Sequence, residues 1–467
     1  MKKPVTSKEE EIPEAPEVFG RPIVEGDIAT YRRAFEADPR NRVALNAVTK
    51  TPVKNVAMNR AAVVRQNHTF SHVVKAGAST SQNSSGRCWM FAGLNLFRTT
   101  AAQNMNLEDF ELSQNYLFFW DKLERANYFL ETMLETRDEP TDGRLIAWLV
   151  AQPIQDGGQW DMFVNLVKKY GVVPKDAMPE TDSSGSTGVM NDRVTTKLRE
   201  FAARLRQAHQ SGGASLGKLR AQKTAMLEEI YRMLAIHLGE PPTEFLWQWR
   251  DKDKEFHRDG IVTPTEFYRK HVNLDLDGMV CLIHCPQETT PYNTLYTIEN
   301  LGNIVGGQIV RYLNVEMGVL KTAAATQVKD GKPVWFGCDV GKEFDRDLGL
   351  MDVDLYDYEG IYGTKFGLTK AGRLDYGASQ MTHAMVFTGV DLDENDRPRK
   401  WRVENSWGDK GGDKGFMVMT DAWFDEYNYE VVVEKKYVSD DLLKILDTDP
   451  VHLPPWHPMG ALARSER

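Results

Sequence analysis

Apolar residues follow two different rhythms along this chain. Through the first 240 or so positions they recur at helical spacing. Ile28, Tyr31, Ala34 and Phe35 predict a helix over Asp27–Asp38, and "NRVALNAVTK" continues it as a peripheral α segment. Trp89, Phe91, Ala92, Leu94, Leu96 and Phe97 are dense enough for a buried helix that begins at or near Cys88. Residues 112–134 predict a second long helix and residues 157–174 a third, closed by Gly171 and Pro174. "TDSSGSTG" at 181–188 has the composition of a linker. Residues 195–210 and 218–238 then predict a charged, amphipathic helical hairpin around "SGGASLG", inserted rather than part of one core layer. From Met279 onward the rhythm changes to short β-type runs, "MVCLIHC", "VWFGCDV", "AMVFTGVDL", "KWRVENSW" and "FMVMT", separated by turns such as "DENDRP" and "DKGGDKG". Helices first and antiparallel strands later predict an α+β fold, with a cleft where the two parts meet.

Composition narrows the class without changing that outline. The chain has 467 residues, of which 41% are hydrophobic and 27% charged, with 11 Trp, 16 Tyr and 20 Phe, the profile of a folded protein. A net charge of -10 repels phosphate backbones on average, so nucleic acid is not expected as a partner. No run of about 18 apolar residues occurs, so no membrane-spanning helix is expected. Residues 1–20 read as a flexible lead that lacks the apolar segment of a secretory signal. With the four cysteines Cys88, Cys281, Cys285 and Cys338 too few for a disulfide scaffold, a reducing cytoplasm is expected.

One cysteine stands where a thiol can be made reactive. In "QNSSGRCWMFA", residues 82–92, Cys88 lies between a polar turn and an apolar run, in or near the first turn of the predicted helix. A helix N-terminus favours an anion there. A thiolate nucleophile also needs a base, ordinarily a histidine oriented by a third group. Of ten histidines, His383 heads the apolar strand "HAMVFTGV", and the next strand ends in "VENSWG" with Asn405 and Trp407. If those strands pair antiparallel through the turn near Asn395, with 12 residues on one side and 10 on the other, His383 and Asn405 come together.

These segments together resemble the papain-like cysteine peptidases. The arginine before the cysteine and the long helical insert are similar to the bleomycin hydrolase and aminopeptidase C branch, over residues 20–463 or so. The resemblance implies a papain-like fold with Cys88 as nucleophile, His383 as base and then acid, and Asn405 as its orienting amide. Gln82 would donate to the oxyanion, and Trp407 would shield the His383–Asn405 bond. It also implies that Asp156, Gly157 and Gly158 of "DGGQW" line the substrate cleft, and that the tail "WHPMGALA", ending at Ala463, enters that cleft and limits the enzyme to N-terminal residues of peptides. Four further residues follow Ala463, consistent with self-trimming, an appendage or altered specificity. A homohexamer is implied as well, and no cofactor.

The expected organisation is therefore a lead at 1–20, a helical part at 21–180 and a helical insertion at 181–275. A β-rich part at 276–450 and a tail at 451–467 complete it. Two rival readings are a transglutaminase-like acyltransferase, disfavoured because Asn405 stands where such sites use Asp, and a nucleic-acid- or protein-binding assembly with secondary peptidase activity. "CLIHC", with Cys281, His284 and Cys285, reads as core rather than a metal corner, since Cys338 is 53 residues beyond Cys285. "GGASLGKL" lacks the Ser or Thr and the preceding strand of a phosphate loop.

Overall fold

A computed structural model of the chain describes residues 20–464, so the expected lead and the last three residues fall almost wholly outside the described part. The chain forms two compact units. In the smaller, α1 (Glu25–Ala37) and α2 (Pro39–Val48) form as the periodicity predicts. Asp38 starts α2 by accepting from the Arg40 amide at 3.0 Å, with Pro39 in the first turn. Neither helix buries a residue, and Tyr31, Phe35, Val43 and Leu45 are exposed. Tyr356–Phe366 completes this unit, with the Asp357 amide donating to the Ala57 carbonyl at 2.8 Å.

The larger unit, residues 59–355 and from 367 onward, holds the predicted helices. They are α3 (Cys88–Asn104), α4 (Gln114–Glu135), α5 (Arg144–Ala151) and α6 (Trp160–Tyr170). Ser113 caps α4 by accepting from the Tyr116 amide at 3.1 Å, and Gly171, with φ 70°, ends α6. The charged hairpin follows as α7 (Gly188–Gly212) and α8 (Leu216–Leu238), turning at left-handed Gly213.

Three expectations for this region need correction. The hairpin is not set apart from the core: Leu198, Phe201 and Leu205 of α7 and Ile230 and Leu234 of α8 share one hydrophobic cluster with Trp89 and Phe97. Its apolar stripe is a core face, and the charges occupy the other side. "TDSSGSTG" is not a free linker either. Ser184 and Thr187 are buried, and the Ser84 amide donates to the Gly185 carbonyl at 2.9 Å. The stretch 181–275 is also not all helical, because β1 (Phe245–Arg250) and β2 (Phe256–Val262) form an antiparallel hairpin within it.

Nine further strands, joined by the two-residue strands His72–Val73, Phe344–Asp345 and Leu350–Met351, build a twelve-stranded sheet between two cores. They are β3 (Met279–Ile283), β4 (Thr294–Ile298), β5 (Tyr312–Asn314), β6 (Val334–Cys338), β7 (His383–Leu392), β8 (Pro398–Glu404), β9 (Phe416–Thr420), β10 (Asn428–Glu434) and β11 (Val451–Leu453). Their spatial order is β11-β4-β5-β3-β10-β6-β7-β8-β9. Most neighbours run antiparallel as expected, but β3 with β5 and β4 with β11 are parallel. Alternation along the strands sends Cys281, Trp335 and Val432 into the helical core, while Phe336, Phe387 and Val431 enter a second core with Leu320 and Ala324 of the helix Met317–Lys329. Helical and β-rich parts are thus joined along one face of the sheet, giving the α+β fold. Among the described residues no helix is long and apolar enough to cross a membrane.

Candidate active site

Helix α3 begins at Cys88, with Arg87 at its N-cap position, so the sulfur belongs to the first turn. Cys88 is buried and its Sγ lies 3.9 Å from the Gly86 carbonyl. The turn ahead of it is held from several sides. Arg87 is fully buried, with Nη2 2.7 Å from Glu180 and Nη1 3.1 Å, and its guanidinium lies 5.1 Å from the Phe91 and Phe118 rings. The Gly86 amide donates to Asp156 Oδ2 at 3.0 Å. Asp156 also receives Lys122 Nζ at 2.7 Å, Asn191 Nδ2 at 2.7 Å and the Thr187 hydroxyl. Burial pushes its carboxyl up, but the Lys122 charge and the donated hydrogen bonds outweigh this and hold it well below the ordinary range.

On the other wall, β7 and β8 pair antiparallel with Val386 opposite Glu404. The carboxylate of Asp393 closes their turn by accepting the amides of Asn395 and Arg397, each at 2.8 Å. His383 and Asn405 therefore share the open end, and His383 Nε2 lies 2.8 Å from Asn405 Oδ1. The Ser406 amide also donates to that oxygen at 2.7 Å, and Asn405 Nδ2 reaches Met417 Sδ at 3.7 Å. With Oδ1 the acceptor, His383 Nε2 carries a proton and donates it to Asn405. Trp407 packs its ring 4.8 Å from that of His383, and the Arg346 guanidinium lies 5.0 Å from the indole.

Two ties join the walls. Trp335 of β6 donates Nε1 to the Trp89 carbonyl at 3.1 Å, fixing the first turn of α3 to the sheet. Cys338, directly opposite His383 across the β6–β7 ladder, has its thiol pushed well above the ordinary value by burial, Asp339 and the nearby Cys88. Gln82 is held by the Asn405 segment: its amide donates to the Ser406 carbonyl at 2.8 Å, and its Oε1 accepts from the Ser406 hydroxyl at 2.6 Å. One Nε2 hydrogen goes to the Ser85 carbonyl. Ser79 extends the tie by donating toward the Asn405 and Gly408 carbonyls.

His383, Asn405, Gln82 and Trp407 thus gather at the open end of β7 and β8, and Cys88 lies near enough to Cys338, the cross-strand partner of His383, to raise its thiol. At Gly158 a Cβ would come within 2.4 Å of the Trp89 indole, so the missing side chain makes room for that ring. The Gly157 carbonyl accepts from Arg125, and the Asp156 carbonyl accepts from Trp89 Nε1 at 2.6 Å. Ala463 is buried, and with Arg464 it lines a cavity shared with Arg125, Gln152, Gln155 and Leu301. Trp456 anchors the tail between Trp148, at 6.3 Å, and Arg144, at 3.8 Å.

The other cysteines are engaged elsewhere. Cys281 donates to Glu430 Oε1 at 2.7 Å, Cys285 lies 3.1 Å from Gln287 Oε1, and burial raises both thiols. His284 meets the Val315 carbonyl at 3.1 Å and stacks on Tyr292. Among the described residues no three His, Cys, Asp or Glu side chains group as metal ligands. Lys122, Glu180 and Ser406, which brace the turn and the Gln82 loop, escaped the sequence reading. Only their burial in a polar network marks them, and no local pattern does.

Relatives match this chain over nearly its whole length. Human (Homo sapiens) bleomycin hydrolase is 47% identical over 445 residues, spanning 93% of this chain and 98% of that protein. Aminopeptidase C of Listeria monocytogenes is 46% identical over 436 residues, with the same coverage. The crystal structure of PepW from Lactobacillus rhamnosis superposes with a TM-score of 0.93 at 46% identity, covering 95% of this chain and 99% of that one. The family model described as the Peptidase C1-like family matches residues 23–460, which include the Cys88 turn and the His383–Asn405 hairpin alike; to that family the chain belongs.

Proposed function

We propose that the chain is a cysteine aminopeptidase that releases N-terminal residues from peptides through an acyl-thioester. The 2.8 Å bond between His383 Nε2 and Asn405 Oδ1 carries this reading, because it orients the imidazole, as the general base of a cysteine peptidase requires. Cys88 Sγ attacks the scissile carbonyl, and the carbonyl π electrons move to oxygen. The second Nε2 hydrogen of Gln82 and the Cys88 amide donate to that oxyanion. His383, protonated by the thiol, gives its proton to the leaving amine as the thioester forms. It then takes a proton from water, whose hydroxide displaces Sγ. Asn405 holds the imidazole in the required tautomer, and Trp407 covers the bond between them.

The burial of Leu462 and Ala463 in the tail supports a gate that admits only a free N-terminus, with Asp156–Gly158 bracing the cleft wall behind it. Exposed Tyr31, Phe35, Val43 and Leu45 support assembly into an oligomer, a hexamer by likeness to the family. Four free thiols suit a cytoplasmic setting. Fluorogenic aminoacyl amides test the central claim: turnover is expected with a free α-amine, with loss to background in Cys88→Ala. Equal turnover of the N-acetylated amide would remove the exopeptidase restriction, and persistent turnover in Cys88→Ala would remove the nucleophile.

A further inference from the structure

The segments that carry Cys88, Asn405 and Gln82 meet at one buried guanidinium outside the catalytic set. Arg98 lies on α3, the helix that Cys88 begins. Its Nη2 donates to Oε1 of Glu404, a buried residue that ends β8 and precedes Asn405. Its Nη1 donates to the Ala78 carbonyl at 2.7 Å. Ala78 opens the segment 78–82, which runs beside the Asn405 loop and ends at Gln82. Along it the Gly408 amide donates to the Thr80 carbonyl at 2.9 Å, Ser81 pairs with Trp407 in an antiparallel bridge, and the Gln82 amide donates to the Ser406 carbonyl at 2.8 Å. Asn95, one turn earlier on α3, adds a second grip by donating Nδ2 to Thr80 Oγ1 at 3.0 Å. One planar guanidinium thus ties the nucleophile's helix both to the strand of the orienting amide and to the segment of the oxyanion amide.

Stability does not account for this pair. Burial pushes the Glu404 carboxyl up even against the Arg98 and Arg402 charges, so the attraction does not offset the loss of water. Among the described residues Arg98 Nε has no hydrogen-bond partner, which adds to the cost. Replacing such a pair by apolar side chains of similar volume is commonly neutral or stabilising, but apolar groups carry no directional bonds. What the pair supplies is a fixed spacing between three chain segments. We infer that Arg98, acting through Glu404 and Ala78, is a positioning residue that sets where the His383–Asn405 pair and Gln82 stand relative to Cys88. The inference rests on the aminopeptidase reading and names the residue that registers the parts of its site.

The test combines Arg98→Met with Glu404→Met, beside the single variant Arg98→Lys, which keeps the charge and loses the fork. The readouts are the urea midpoint, kcat and KM on a leucyl amide, and the pH midpoint for alkylation of Cys88 by iodoacetamide, followed by mass. The double variant is expected to keep the wild-type urea midpoint and to lose at least about tenfold in kcat, with KM within about twofold. Its alkylation midpoint is expected to rise by about one pH unit, because the thiolate has lost its aligned imidazolium. Wild-type kcat per folded molecule and a wild-type alkylation midpoint, whatever the urea midpoint, overturn the positioning role. Should the double variant not fold, Arg98→Lys decides on the same two readouts: movement of both supports the role, and wild-type values of both overturn it. Alkylation needs no turnover, so the two readings fail separately. A wild type that hydrolyses no aminoacyl amide, with the alkylation shift present in the variants, ends the aminopeptidase reading and keeps the positioning role. Unaltered hydrolysis by a folded double variant ends the positioning role alone.

Discussion

At the residue scale, Gln82 is positioned by a partner 324 positions away, since the Ser406 hydroxyl fixes its Oε1 and so aims its Nε2. If that nitrogen serves the oxyanion, Gln82→Ala should lower kcat by about 10²–10³ and leave KM nearly unchanged, the signature of a contact made in the transition state. Steady-state kinetics on a leucyl amide decides it, and a change confined to KM would refute the assignment. Glu430 offers a separate residue-level test. Burial pushes its carboxyl from the ordinary 4.5 to about 8, with the Cys281 thiol bonded to it and the Asp161 carboxylate nearby. Between those two values the folded chain keeps a proton that the unfolded chain has lost, so stability falls as pH rises through this window. Urea midpoints measured from about pH 5 to about pH 9 should show that decline, and Glu430→Gln should flatten it.

At the element scale, the loop Asp156–Gly158 works as a strut between α4 and the first turn of α3. Lys122 and Arg125 hold it from one side, and Gly86 and Trp89 hang on it from the other. Its fit depends on the indole lying where a Cβ of residue 158 would be. Gly158→Ala should therefore destabilise the fold by about 1–3 kcal/mol through overpacking. A urea midpoint unchanged from wild type would show that the loop can yield and is not a strut. The β7–β8 hairpin is the other decisive element. Its alternation and turn chemistry were legible in the residues, because strand period and Asp393-type turns are local properties. The hairpin α7–α8 was legible as helices but not as core, since periodicity reveals an apolar face without naming what covers it.

At the scale of the whole molecule, the tail returns to the helical part by pairing β11 with β4 and wedging Trp456 against α5. Gly460 sits close over Ile298 and Leu301, and Leu462 and Ala463 are buried beyond it. As the proposed gate, the tail restricts cleavage to the N-terminus by occupying the cleft. Deleting residues from Gly460 onward should raise cleavage of an internally quenched, N-terminally blocked peptide by at least about tenfold, a loss of steric exclusion rather than of chemistry. If the blocked peptide stays intact while aminoacyl amides are still hydrolysed, the restriction lies elsewhere.

Local pattern alone determined the long helices, the strands β3, β6, β7, β8 and β9, the helix start at Cys88 and the hairpin that joins His383 to Asn405. Each follows from a period of 3.6 or 2 and from turn residues acting over a few positions. Only the tertiary structure decided that "TDSSGSTG" braces the cysteine turn, that Asp156 accepts from the Gly86 amide, and that Gly158 makes room for Trp89. Those outcomes rest on single polar or steric contacts between distant segments, such as Gly86 with Asp156 across 70 positions. A buried donor must find some acceptor, but chain order does not say which one folding will bring to it.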